Sequence, residues 1–411
     1  MTKDNEKLGF WTFLLLWFGA AVSIAEILTG GLIAPLGFKT GVIVILAGHL
    51  IGTFVLVLGG VIGTREKVPA ITSTNISFGK YGVYLFSILN VLQLIGWTAV
   101  MIKSAADSIN LIAKSLWSFD NVLLSIVLVG VLVALWIWYG KDGMKKLNSI
   151  AVFLLFVLTI VLGTVIFKDK TLFDRAGSGS ISVGGALELN VIMPLSWLPL
   201  IADYTRFAKS EKEGALGSFL GYFLGSSWMY IIGLGAAIVS NNPDPSAMML
   251  AANLGITALG IVVLSTVTTT FLDVYSAGVS FLNIMPKQSE KNIGILMTVI
   301  GTVIAAVFPI ENYESFLYAI GSVFAPLFAI LITDYFIIKK NNKIKNDVLI
   351  NLGAFIVWAI GVASYYSFIK QDLLFGATVP AMITTSIIYT ITWRWINKWK
   401  LVKKLENYYA A

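Results

Sequence analysis

Apolar runs of about twenty residues, separated by short polar turns, recur along the chain from Leu8 to the C-terminal region. Each run is long enough to cross a bilayer as a helix, which takes roughly 20 residues. The pattern predicts about twelve membrane helices, near 9–35, 40–63, 82–113, 121–140, 148–167, 189–207, 215–239, 254–282, 293–309, 315–338, 347–366 and 375–396. The turns are rich in Gly, Pro, Asn and Lys, and NNPDP at 241–245 and PKQSEKN at 286–292 are clear breaks. The longest connection, 168–188, is polar and rich in Gly and Ser, and no segment reads as a water-soluble domain. The first run is too long, and is followed by too many others, to be a cleaved signal peptide.

Composition agrees with the pattern. Of 411 residues, 57% are hydrophobic and only 12% charged, against about 25% charged in soluble proteins. With no cysteine, disulfides, thiol chemistry and cysteine-held metals are excluded. One histidine, His49, leaves no histidine metal cluster and no Ser-His-Asp triad. The net charge of +7 reads as cytoplasmic loops rather than as nucleic-acid binding, because Lys and Arg are unevenly spread. With the N-terminus placed inside, 22 of the 29 Lys and Arg fall in inner segments and six in outer ones, with Lys103 inside a helix. Both termini are therefore expected in the cytoplasm, on a multi-pass protein of the plasma membrane. Trp117, Trp136, Trp393 and Trp395 sit near predicted helix ends, where aromatic belts form.

Two halves of similar length, about 9–167 and 189–338, each hold five helices, with the helices of 347–396 left over. Each half opens with an interrupted helix, SIAEILTGG in the first and MPLSWLPLIADY in the second. Paired broken helices in inverted halves point to a binding site near the bilayer midplane. An odd number of helices per half makes the repeats inverted.

Charged side chains inside these runs cost about 2.5–3.5 kcal/mol each on insertion scales. Glu26 is the deepest, with Ser23 one turn before it and Thr29-Gly30-Gly31 expected to unwind the helix just after it. Unwound backbone there would offer carbonyls to a cation. Glu26 reads as a substrate or proton-coupling group, or else as an acid paired within the bundle. Lys103 and Asp107, at i and i+4, read as an intrahelical ion pair. Gln93, Trp97 and Ser104 form a polar-aromatic stripe on the same helix, and Trp97 after Gly96 could stack on a flat ligand or simply pack. Trp197 lies between Pro194 and Pro199, whose missing N–H groups leave carbonyls in need of partners. Asp203 and Arg206 read as a structural or gating ion pair. In LSTVTTTFLDVYSAG, the hydroxyls of Ser265, Thr268 and Thr269 could serve a hard cation or could bond back to their own helix. Asp273 is one turn beyond Thr269, and Asp334, beside Lys339 and Lys340, reads as structural. There is no GxxxxGK[ST] phosphate loop, so direct drive by ATP is not expected.

At these residues the chain resembles the nucleobase:cation symporter-1 family, the cytosine and hydantoin permeases. The resemblance covers about residues 8–400. It rests on the TGG after Glu26, QLIGW at 93–97, WLPLIADYTRF at 197–207, TTTFLDVYSAG at 268–278 and TDYF at 333–336. Within the family the chain looks most like the hydroxymethylpyrimidine permease branch, a thiamine-precursor group. The resemblance implies an all-α polytopic membrane protein of LeuT-like fold, with five-plus-five inverted repeats and two added C-terminal helices. It implies a substrate stacked between Trp97 and Trp197, and a sodium site between the first and eighth helices. There Thr268 and Thr269 match the hydroxyl pair of sodium-coupled members, joined by carbonyls near Ala25 and Leu28. Three departures stand out. Met101 replaces a Gln of hydantoin carriers, hydrophobic residues beside Asp273 replace a common Asn, and Glu26 occupies a position that looks small and neutral in cytosine permeases.

The sequence therefore reads as a secondary symporter and not as an enzyme. It has no cofactor beyond Na+ or H+ as coupling ion and no obligate protein partner. The expected substrate is a small nitrogenous heteroaromatic ring such as hydroxymethylpyrimidine or cytosine, bound by Glu26, Gln93, Trp97, Trp197 and Asp273. A carrier of hydantoin, allantoin, a purine or an amino acid on the same fold is the alternative. A channel or an intramembrane enzyme are rivals from other classes.

Overall fold

A computed structural model describes residues 7–139, 141–251, 255–307, 309, 312–338 and 348–402. Their order is helical almost throughout. The first span is split into α1 (Phe10–Ala21) and α2 (Ile24–Leu32), followed by α3 (Phe38–Glu66). Two short helices, α4 (Ala70–Ser73) and α5 (Asn75–Phe78), precede the long α6 (Lys80–Trp117). Next come α7 (Val122–Tyr139) and α8 (Lys141–Ile166), and then a second split span, α9 (Val183–Ser196) and α10 (Leu198–Thr205). The rest is α11 (Glu211–Ser240), α12 (Pro245–Ala251), α13 (Gly255–Leu282), α14 (Glu290–Val307), α15 (Tyr313–Ile332), α16 (Leu352–Gln371) and α17 (Thr378–Ile396). A short hairpin, β1 (Val348–Asn351) with β2 (Lys400–Val402), ties the start of α16 to the end of α17.

Among the described residues, ten helical spans are long and apolar enough to cross a membrane, and the bent α1–α2 pair makes an eleventh. The expected twelfth, α17, forms where the pattern placed it. It carries Thr378, Thr384, Thr385, Ser386, Thr390, Thr392 and Arg394, and these hold its hydropathy below that of the others. Long aliphatic side chains on α7, α14 and α17 point outward, as lipid-facing surfaces require.

The first span breaks about two turns earlier than expected. α1 and α2 meet at 59° across Val22 and Ser23. Ser23 has extended backbone (φ −140°, ψ 159°) and stands at the N-cap of α2, with Glu26 three residues on. That is the sequence signature of a helix start. α2 then continues through Thr29, Gly30 and Gly31. Those glycines serve packing. A Cβ on Gly30 would run into the backbone of Tyr230 on α11, and one on Gly233 of α11 would run into the carbonyl of Ile27. Small residues are what let two membrane helices come this close.

The second break falls at Trp197, between the two prolines. Pro194 lies in the last turn of α9, and Pro199 in the first turn of α10, where its missing N–H costs little. One face of the molecule gathers the N-terminal segment, α4, α5, the end of α10 and the hairpin. Leu8 bonds to the backbone of Phe207 and Lys209, and Gly79 approaches the backbone of Leu349.

Candidate functional site

The two helix breaks face each other and enclose a small cavity with α6 and α13. Ser23 and Glu26 reach it from the first span, Trp97 and Met101 from α6. Met193, Ser196 and Trp197 reach it from the second broken span, Thr269 and Asp273 from α13. The space between them is about 30 Å³, enough for on the order of two waters. A heteroaromatic ring enters only if side chains or helices move.

Two indoles border the cavity from opposite helices. Trp97 is held edge-on by Phe316 at 5.5 Å and Tyr313 at 6.0 Å, both from α15. The half-buried Trp197 packs edge-on against Trp17 at 5.8 Å. Trp17 also meets Tyr204 and Tyr222, so this side of the cavity has an aromatic floor.

Two carboxyl groups also border it, in different settings. Glu26, 2% exposed, accepts from Tyr222 Oη at 2.9 Å and from Ser226 Oγ at 2.6 Å, both one turn apart on α11. Asp273, 7% exposed, has no hydrogen-bond partner among the described residues. A buried carboxyl without a partner is costly, and it persists where something else satisfies it in use.

Residues 1–392 match the family described as permease for cytosine/purines, uracil, thiamine, allantoin. The chain belongs to this permease family. It is 25% identical over 326 residues to the cytosine permease of Escherichia coli strain K12, covering 76% of this chain and 75% of that one. It is 22% identical over 377 residues to the allantoin permease of Bacillus subtilis, covering 80% and 75%. Its fold superposes on Mhp1, a nucleobase-cation-symport-1 family transporter, in a closed conformation with bromovinylhydantoin bound, with a TM-score of 0.81 at 19% identity, covering 96% and 93% of the two chains. The inward-facing conformation of Mhp1 gives 0.83 at 18% identity, covering 96% and 92%. The permease thus has the LeuT-like inverted-repeat architecture and is a membrane transporter, not an enzyme.

Several residues singled out in the sequence take other places in the permease. Gln93 does not line the cavity. Its amide donates to Asn90 Oδ1 at 2.7 Å and to the Ser196 carbonyl at 3.3 Å, bridging α6 to the break after α9. The expected helix-one cation ligands, the carbonyls near Ala25 and Leu28, do not lie in unwound backbone. The Ala25 carbonyl accepts the Thr29 hydroxyl at 2.8 Å, and both Ala25 and Leu28 lie inside continuous helix. The carbonyls released by the break are those at the end of α1. On α13, Thr269 bonds back to the carbonyl of Ser265 at 2.9 Å. Ser265 is buried, and the side chain of Thr268 lies outside the described residues. Lys103 and Asp107 form the expected pair at 2.6 Å, and Ser104 bonds back to Val100. Asp203 does not pair with Arg206. It accepts from the Ala70 N–H at 3.1 Å, while Arg206 lies over the Phe207 ring. Asp334 accepts from Ser77 at 2.9 Å, and its sequence neighbours Lys339 and Lys340 lie outside the described residues.

The structure adds residues that the sequence pattern did not single out. Tyr222 and Ser226 hold Glu26, and His49 lies behind Ser226. A buried acid needs partners, and the polar i, i+4 pair on a glycine-rich helix was the available signal. Glu188 was missed because it was counted in the preceding loop. It is buried in α9 and accepts from Tyr365, from the Thr378 hydroxyl and from the N–H groups of Ala377 and Thr378.

Proposed function

We propose that the permease is a secondary symporter that carries a small planar nitrogenous ring inward with a cation, by alternating access about the cavity between the two helix breaks. The substrate class is an amino-bearing pyrimidine, hydroxymethylpyrimidine or a cytosine-like base. The observation that carries this is the pairing, on one buried cavity, of two indoles with a carboxyl that has no hydrogen-bond partner among the described residues. The ring stacks against Trp97 and Trp197, and Asp273 accepts from its exocyclic amine or pairs with a protonated ring nitrogen. Glu26 completes the acidic edge, and Thr269 and Ser23 supply hydroxyls.

The family and its relatives support a nucleobase-type substrate. The acidic lining favours donors over the carbonyl-rich edges of hydantoin or allantoin, which remain the second reading because relatives with those names match the chain. The inverted repeats are taken as about 9–167 and 189–338, with 347–396 added. Both termini are placed in the cytoplasm by the Lys and Arg distribution, in a protein of the plasma membrane.

The test is intrinsic tryptophan fluorescence of the purified protein against hydroxymethylpyrimidine, cytosine, hydantoin, allantoin and a control amino acid, with and without sodium and across pH. One aminopyrimidine is expected to quench. Trp97→Ala is expected to weaken its binding by about five- to 150-fold, since stacking a base on an aromatic ring contributes about 1–3 kcal/mol. Preference for hydantoin or allantoin over both pyrimidines would replace the substrate assignment.

A further inference from the structure

From Glu26 a chain of three polar side chains, with Ser226 and His49 behind it, runs away from the cavity into the contact between α3, α9 and α11. Ser226 Oγ lies 2.6 Å from Glu26 Oε2 and 2.5 Å from His49 Nε2, and His49 Nδ1 lies 2.9 Å from the Ile45 carbonyl. All three side chains are buried. His49 is the only histidine in the sequence.

Counting hydrogens along this chain is decisive. A carbonyl oxygen only accepts, so His49 Nδ1 must carry a hydrogen toward Ile45. Ser226 has one hydrogen to give and two neighbours close enough to take it. If His49 is neutral, its bare Nε2 takes the Ser226 hydrogen, and Glu26 must then be protonated to donate to Ser226 Oγ. If Glu26 is ionised, Ser226 donates to it, and His49 must then be an imidazolium donating from Nε2. Both arrangements hold the same number of protons. With one proton fewer, two acceptors face each other at one of the three contacts, and that contact opens.

We propose that Glu26, Ser226 and His49 hold a single shared proton, and that this proton is the coupling ion of the transporter. The step between the two arrangements is balanced. The Glu26 O–H bond breaks as its proton passes to Ser226 Oγ, and the Ser226 hydrogen passes to His49 Nε2. Ser226 is unchanged, the charge moves from none to a carboxylate–imidazolium pair, and no other reactant is needed. Glu26 presents the cavity end of the chain to the substrate, and His49 and Ser226 are positioning residues acting through it. Coupling rests on the transport reading above, whereas the shared proton does not.

The other ionisable groups around the chain are accounted for. From α11, Tyr222 donates to Glu26, and Tyr230 packs edge-on against the His49 ring at 4.5 Å. From α15, Tyr313 bonds to Thr29 at 2.9 Å. From α13, Asp273 borders the same cavity. On α6, Lys103 and Asp107 neutralise each other, and on α9, Glu188 is occupied with Tyr365 and Thr378.

The single histidine makes the test direct. The full-length protein, carrying an affinity tag without histidine and no ligand, is labelled with ¹⁵N-histidine and read by NMR across pH. Infrared difference spectra of the same titration follow the Glu26 carboxyl band, identified by its loss in Glu26→Gln. The wild type is expected to show His49 with hydrogen on Nδ1 throughout the loaded state. Its signal and the Glu26 band are expected to change together at one midpoint. Ser226→Ala is expected to separate them by about one pH unit or more, because coupled groups share their titration. A neutral His49 carrying its hydrogen on Nε2 in the wild type, or independent midpoints unchanged by Ser226→Ala, overturns the proposal. The wild-type spectra decide the matter even if the variant folds poorly. No substrate is used, so a failure here leaves the ring-binding assignment standing, and a failure of ring binding leaves the shared proton standing.

Discussion

Glu26 and Asp273 border one cavity, yet among the described residues only Glu26 is tied down by neighbouring side chains. In the proposed account this difference gives them separate tasks, Asp273 meeting the ring and Glu26 facing the proton chain. Asp273→Asn keeps the volume and replaces the carboxyl by an amide. It is expected to weaken binding of aminopyrimidines at least tenfold while hydantoin binding is retained or improved, measured by the same fluorescence titration; equal losses for both ligands would contradict a role in selectivity. Glu26, Trp97, Trp197 and Asp273 were legible in the sequence because a charge or a Trp beside a helix breaker stands out in an apolar run. Gln93 was not, since its partners Asn90 and Ser196 lie on another turn and another helix. Glu26's own partners were equally hidden, since Tyr222 and Ser226 are nearly two hundred residues away.

At the scale of elements, the helix breaks place the site, and their causes differ. The second break was legible from Pro194 and Pro199. The first was misplaced because Thr29-Gly30-Gly31 looks like a helix breaker, whereas Ser23 and Glu26 carry the helix-start pattern. In a membrane, glycine more often marks a close contact than an end, since the helix keeps its own hydrogen bonds where no water can replace them. Gly30→Val is therefore expected to push α2 off α11 and to lower the thermal unfolding midpoint sharply, whereas Thr29→Ser should be nearly silent. A fully stable Gly30→Val protein would show that the α2–α11 contact is looser than described. A second elemental joint is the Glu188 carboxyl, which closes the start of α17. Leaving its buried donors unpaired costs about 1–3 kcal/mol each, so Glu188→Ala is expected to destabilise the fold strongly and Glu188→Gln less. Differential scanning fluorimetry in detergent separates these outcomes.

For the whole molecule, the number and order of helices were readable because a bilayer imposes one length and one composition on every span. Even the hydroxyl-rich α17 forms where the pattern put it. The short α4 and α5 and the β1–β2 hairpin were not readable, since they lie outside the apolar runs and are shaped by long-range contacts such as Asn351 with Ser77 and Asp203 with Ala70. The cavity is too small for a ring in this conformation, so binding one requires side chains or helices around it to move. The measurement that bears most directly on the account is uptake of radiolabelled hydroxymethylpyrimidine and cytosine into proteoliposomes under imposed ion gradients. The account predicts that one of these rings accumulates above its outside concentration under an inward proton gradient, and that an uncoupler abolishes the accumulation. Mere equilibration, or no uptake of either ring under a proton or a sodium gradient, would contradict it.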